Sequence, residues 1–210
     1  PAAILVMDVD ADGEWATPLR AAHPDVIWHC MSNRGYGAAA NRLLAEADRI
    51  CPDAAHMLLL NADIELARDF GEDLLRAMEE DPRAALATGK LLRPGGHVLD
   101  SAGIRMGCNR RPRDRGSEDL DVGQFDRAEA VFAASGAALL LRRSALEEIS
   151  LDGEVFDEDF FLYYEDTDLC WRAKRLGWRV LYEPRARAIH ARGWRRDRRR
   201  EVPVAVRRHS

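Results

Sequence analysis

The run Met57-Leu58-Leu59-Leu60 is continuously apolar, which fits a strand of the fully buried kind. The segments flanking it carry helical spacing. After the turn Asn33-Arg34-Gly35-Tyr36-Gly37, a helix runs through Asn41, Leu44 and Ala47, and Phe70, Leu74, Leu75 and Met78 repeat along residues 70–80, as on a helix packed against a sheet. Residues 2–7 and 26–30 read as strands with a helix near 17–22 between them, and residues 84–92 return as a strand. This alternation predicts an α/β fold around a mostly parallel sheet. From 94 to 127 the chain turns rich in Gly, Arg, Asp and Pro, and apolar residues thin out between Asn109 and Asp126, so a long mobile loop is expected there. Order resumes at Val131-Phe132 and over 136–141, followed by a short helix near 144–149. No internal repeat or interdomain linker is visible.

With 210 residues, 47% hydrophobic and 32% charged, the chain can bury one sizeable core, which predicts one domain. No apolar run nears the roughly 20 residues of a spanning helix, and the start lacks a signal-peptide pattern, so a cytoplasmic location is expected. A net charge of -5 argues against a nucleic-acid partner. Cys30, Cys51, Cys108 and Cys170 are scattered without a C-x-x-C pair, which predicts reduced, structural thiols. The last residues are strongly basic, with Arg195, Arg196, Arg198 and Arg199. Residues 194–210 therefore read as a solvated tail, as a contact with a diphosphate-bearing substrate, or as a peripheral contact with anionic lipid at the inner face of the plasma membrane.

Two patterns carry chemistry. The stretch from Tyr163 to Trp178 packs Glu165, Asp166 and Asp168 into the opening of a helix, basic residues into its last turn and Gly177 past its end. The dipole at such an N-terminus predicts a lowered pKa for Asp166 and a general base ready near neutral pH. A plain helix cap is the structural alternative. The second pattern is Asn61-Ala62-Asp63 at the end of the apolar strand, where ligands of open α/β sheets bind. Asp63 can hold a divalent cation together with a diphosphate, or can simply close a turn.

Together, Asn33-x-Gly35-Tyr36-Gly37 with Asn41, Leu60-Asn61-Ala62-Asp63, Ser135-Gly136-Ala137 followed by Arg142-Arg143, Phe156-Asp157-Glu158-x-Phe160-Phe161 and Glu165-Asp166-x-Asp168-Leu169 resemble glycosyltransferase family 2, with closest likeness to its rhamnosyltransferase-like branch. The motifs run in order to about His190. The resemblance implies a GT-A fold over residues 1–193, a nucleotide-diphosphate sugar donor (dTDP-rhamnose or a UDP-sugar), a divalent metal (Mg²⁺ or Mn²⁺), and transfer with inversion to a glycan or lipid-linked acceptor in cell-wall polysaccharide synthesis. It implies donor contacts from Asp8, Asn33, Gly35, Asn41, Asn61, Asp63, Ser135 and Gly136. It further assigns Asp166 as base, Asp63 and His190 to the metal, and Glu165, Tyr164 and Trp171 to the acceptor side, where Phe160, Phe161 and Tyr163 also offer apolar faces to a sugar.

The chain departs from the family in two places. It opens at what matches the family's second strand, so an unpaired strand edge and an incomplete nucleoside pocket are expected, as in a fragment or shortened homologue. After His190, Gly193-Trp194-Arg195-Arg196 replaces the small and hydroxyl residues usual there. A non-catalytic remnant acting as a binding or scaffold module is thus the alternative to an enzyme. A sugar nucleotidyltransferase ranks last, because no glycine-rich, lysine-bearing N-terminal loop is present.

Overall fold

The computed structural model describes residues 3–10 and 16–192; the tail assigned to 194–210 lies outside the described residues. Strand β1 (Leu5–Asp8), helix α1 (Thr17–Ala22) and strand β2 (Ile27–Cys30) come first. Pro18 sits in the first turn of α1, where its missing N–H removes no hydrogen bond. β1 and β2 pair in parallel, Leu5 opposite Ile27 and Asp8 opposite Cys30, as a two-stranded sheet of their own. Next come α2 (Tyr36–Ile50), β3 (His56–Leu60), β4 (Ile64–Leu66), α3 (Phe70–Glu80) and β5 (Ala84–Leu92). β5 is buried at every position.

The remaining elements are β6 (Leu99–Ser101), β7 (Ile104–Met106), β8 (Pro112–Asp114), β9 (Glu129–Ala130), β10 (Ala138–Arg142), α4 (Arg143–Ile149), α5 (Glu165–Arg175) and β11 (Arg179–His190). The main sheet has the order β3-β10-β5-β11-β4, with β6 on β5 and β9 on β11. It is mixed rather than mostly parallel. β5 and β11 are parallel neighbours, and β3 shares their direction because β10 is antiparallel to both β3 and β5. β10 and β4 run the other way. Two cores cover the two faces, and β10 shows why. Leu139 and Leu141 enter the core under α2, α4 and α5, while Ala138 and Leu140 enter the core under α3 with Phe70, Leu74 and Met78. This is the two-residue period of a strand, and each fully buried leucine contributes about 2 kcal/mol.

The segment read as a long mobile loop carries β6, β7 and β8 instead. Polar groups order it. Lys90, fully buried on β5, pairs with Asp121 at 3.0 Å and with Asp126. Arg187 adds a 3.0 Å pair to Asp121, and the Tyr182 hydroxyl donates to the Phe125 carbonyl at 2.9 Å. An unpaired buried ammonium would be very costly, so Lys90 ties residues 121–126 to the sheet.

β11 breaks register against β5 between Glu183 and Arg187, spending four steps against a single step from Gly89 to Lys90. Pro184, with no N–H to donate, falls inside this bulge. A Cβ at Gly89 would lie 2.1 Å from the Ala186 carbonyl oxygen, so the bulge needs a glycine opposite it.

Candidate active site

β3 and β11 both end on one side of the sheet, and the start of β10 lies between β3 and β5 on that same side. The Asn61 N–H donates to the Ala137 carbonyl at 2.9 Å and the Ala191 N–H to the Asp63 carbonyl at 3.0 Å, so the turn after β3 is tied to the start of β10 and to the end of β11. His190, 8% exposed, brings Nε2 to 3.3 Å from Asp63 Oδ1. Its Nδ1 lies 2.8 Å from Oδ2 of the fully buried Asp100 on β6. Arg192 pairs with the other oxygen of Asp100. Asp100 stands in the stretch read as a loop, where a lone acidic residue with no motif around it gives no sequence signal.

Asp166, one residue into α5, is partly buried beside Gly136. Its Oδ2 accepts the Gly136 N–H at 2.9 Å, and its Oδ1 accepts the Thr167 N–H at 2.6 Å and the Thr167 hydroxyl at 3.2 Å. A Cβ at Gly136 would fall 3.2 Å from the Asp166 Cβ, so the small residue lets the carboxylate reach the backbone. The expected lowering of the Asp166 pKa is overturned. Removal from water raises it, and the hydrogen bonds from Gly136 and Thr167 offset this only in part. A dipole argument weighs one helix end and omits the desolvation imposed by everything packed around it.

Glu165 is 6% exposed, and its Oε2 has no hydrogen-bond partner. Burial, then the nearby Asp166, push its pKa from an ordinary 4.5 to about 8. Between those two pH values the folded chain holds a proton that the unfolded chain releases. Stability attributable to Glu165 is therefore complete below pH 4.5, falls as pH rises, and levels off above about 8. Glu165→Gln is expected to reduce this decline, which approaches about 1.4 kcal/mol per pH unit, when urea unfolding of both chains is followed from pH 5 to 9. An equal slope in the two chains would refute it.

Three tyrosines frame this corner. The Tyr36 hydroxyl donates to the Gly136 carbonyl at 2.7 Å, and burial followed by the charges of Glu165 and Asp166 raises its pKa well above the ordinary value. Tyr163 and Tyr164 both take positive φ, 72° and 74°. Paired left-handed residues that are not glycine cost about 1–3 kcal/mol each, so packing holds the entry to α5 in a strained turn.

The Asn33 turn is built for shape. Asn33 Oδ1 accepts the Gly35 N–H at 3.0 Å, and Gly35 adopts φ 100° against the Phe161 carbonyl, which accepts the Tyr36 N–H at 2.9 Å. The Asn41 amide exchanges hydrogen bonds with the Phe156 backbone, Nδ2 to O at 2.8 Å and N to Oδ1 at 2.9 Å. Asn41 thus spends its side chain on the loop 156–161, while Asn33 spends its own on the turn that packs against that loop. Ser135 lies beside Gly136, its hydroxyl 3.4 Å from the Ala137 N–H. Trp171, 47% exposed, stacks edge-on to Phe132 at 6.1 Å on α5. Asp8 stands apart, at the end of β1 in the separate small sheet. It accepts the Asp10 N–H at 3.0 Å and pairs with Arg20 at 3.2 Å.

The nitrogen and oxygen of His190 and Asp63 fit Mn²⁺ or Mg²⁺, with phosphate or water oxygens completing the shell. Among the described residues, no group of three or more His, Cys, Asp or Glu gathers as a metal cage. All four cysteines are free, and burial pushes the Cys170 thiol up to about 12. No helix among the described residues is long and apolar enough to cross a membrane.

Known proteins resemble the chain in sequence and in fold. The N-acetylglucosaminyl-diphospho-decaprenol L-rhamnosyltransferase of Mycobacterium tuberculosis, in strains CDC 1551 / Oshkosh and H37Rv, is 33% identical over 90% of this chain and 66% of its own length. Rhamnosyltransferase WbbL of Escherichia coli K12 is 29% identical over 76% of this chain and 62% of its own. The chain thus spans just under two thirds of the length of these relatives. Among solved structures, GalNAc-T7 with UDP, GalNAc and Mn²⁺ superimposes with a TM-score of 0.66 at 14% identity, over 90% of this chain and 38% of that one. A197 from STIV gives 0.55 at 11% identity, over 89% and 83%. These likenesses identify the fold as GT-A. Residues 6–210 match the family described as glycosyltransferase like family 2, and the chain belongs to that family.

Proposed function

We propose that this chain is the catalytic domain of an inverting transferase that moves a sugar from a nucleotide diphosphate to a hydroxyl of a lipid-linked or cell-surface glycan. The relatives named as rhamnosyltransferases favour rhamnose on dTDP, and a UDP-sugar is the other candidate. The observation that carries the reading is the continuity of the Asp63–His190 pair, the Asn61–Ala137 hydrogen bond and the Gly136–Asp166 hydrogen bond along one side of the sheet.

In this reading Asp63 and His190 hold a divalent cation, whose chemistry is to stabilise charge on the departing diphosphate. Asp166 accepts the proton of the attacking hydroxyl, using a lone pair left free by Gly136 or Thr167, and its raised pKa suits a base working near neutral pH. Gly136 and Thr167 keep its carboxylate in one orientation. Trp171 and Phe161, both exposed, offer apolar faces to the acceptor sugar. Glu165 and Tyr164 complete the acceptor side, and Asn33, Gly35 and Asn41 serve the donor by shaping the turn that carries Tyr36.

Calorimetric titration with dTDP and UDP, with and without Mn²⁺, tests the donor half. Binding is expected to require Mn²⁺ and to weaken at least about ten-fold in Asp63→Ala; a folded chain that binds neither nucleotide under any condition sinks the reading. A second reading, a domain that keeps this fold for binding alone, is favoured by the engagement of Asp8 with Arg20. Turnover by the purified chain excludes it.

A further inference from the structure

Asp100 has no role in the site as outlined above, yet its placement is specific. Its strand pairs Ser101 with Leu91 and Leu99 with Leu92, two steps against one, so Asp100 is the extra residue of a bulge. Bulges beside functional sites redirect a side chain. Here the redirected carboxylate is wholly buried and meets His190 Nδ1 at 2.8 Å. Its other oxygen pairs with Arg192 and approaches Arg93 Nε at 3.6 Å. Set among His190, Arg192 and Arg93, Asp100 presents an acceptor oxygen on the side of the ring facing away from Asp63.

We propose that Asp100 is a positioning residue: it takes the Nδ1 proton of His190 and so leaves the Nε2 lone pair facing Asp63, where a divalent cation would bind. The inference rests on the proposed use of such a cation. A neutral imidazole carries one proton, and whichever nitrogen holds it cannot ligate. With Nδ1–H bound to Asp100, Nε2 presents its lone pair 3.3 Å from Asp63 Oδ1. A carboxylate behind the ring also strengthens the nitrogen in front.

The test has two readouts. Multiple-bond ¹H–¹⁵N spectra of the metal-free wild-type chain, recorded above the pH at which the ring titrates, are expected to show His190 protonated at Nδ1. A proton on Nε2 overturns the inference without any substitution. Mn²⁺ is then titrated in the presence of dTDP or UDP and followed by electron paramagnetic resonance. In Asp100→Asn, which keeps the shape and removes the charge, the dissociation constant is expected to rise about 10- to 100-fold. Unchanged affinity in a folded variant overturns the inference and leaves the cation reading standing. Absence of Mn²⁺ binding by the wild-type chain overturns both. Should Asp100→Asn fail to fold, the wild-type spectra decide the matter.

Discussion

Replacing Asp166 with asparagine is expected to lower turnover about 10²- to 10⁴-fold, the range of a general base, while donor binding changes little. The hydrogen bonds dictate how the variant behaves. Asp166 accepts N–H groups on both oxygens, from Gly136 and from Thr167. An asparagine keeps one acceptor and turns its NH₂ toward the other donor, so some stability is lost with the chemistry. The loss in turnover must therefore be measured beside the thermal midpoint and the donor affinity. A folded variant that binds nucleotide as the wild type does, yet transfers no sugar, is the expected outcome. Undiminished turnover would remove Asp166 from the mechanism and direct attention to Glu165, whose Oε2 is unpartnered at the same helix entry.

The largest loss of stability is expected from Gly35→Ala. Gly35 combines φ 100° with ψ 171°, a region closed to side chains at a cost of about 1–3 kcal/mol. An added Cβ would stand 2.3 Å from the Phe161 carbonyl oxygen, which is backbone and already accepts the Tyr36 N–H. With overpacking at about 1–3 kcal/mol, the total reaches about 2–6 kcal/mol, or a fall in Tm of roughly 10 °C for a chain of this size. Gly71→Ala is the control. Gly71 lies in the first turn of α3 with nothing within 4 Å of its missing Cβ, and alanine there is expected to be neutral or stabilising by up to about 1 kcal/mol. Calorimetric melting of the two variants decides the matter; equal midpoints would mean that the 156–161 loop yields freely.

The elements with strong periodicity were legible in the sequence. α3 and β5 occupy the residues their apolar patterns predict, 70–80 and 84–92, because each buries its apolar positions within a local repeat. β11 gave no such signal. Its apolar positions are interrupted by Glu183, Pro184, Arg185 and Arg187, and these are accommodated by a bulge, by the local Glu183–Arg185 pair and by the Arg187–Asp121 pair. The ordering of 94–127 was likewise hidden, since Lys90, Asp121 and Asp126 do the work of a small apolar core with charges. Strand direction was hidden for another reason: β10 enters the sheet against its neighbours through pairing with β3 and β5, residues far away in sequence. In the site, the strand-end position of Asn61 and Asp63 was legible from the apolar run that precedes them. The direction of the Asp166 pKa was not, because it depends on solvent exclusion by segments the local pattern does not contain.

The register break in β11 also governs which changes of length the chain can tolerate. Side chains alternate between faces along a strand, so a shift of one residue exchanges the two sides. Residues 180–183 are registered on Leu86 to Gly89, residues 187–189 separately on Lys90, Leu91 and Leu92, and His190 on Ile64 of β4. The loop between them works as a slack coupling. Drift in the first half can be taken up there without rotating His190 away from Asp63, whereas a single deletion after Arg187 has no such reserve. Natural variation in length should therefore collect at Pro184, Arg185 and Ala186 and be purged from the four residues that follow.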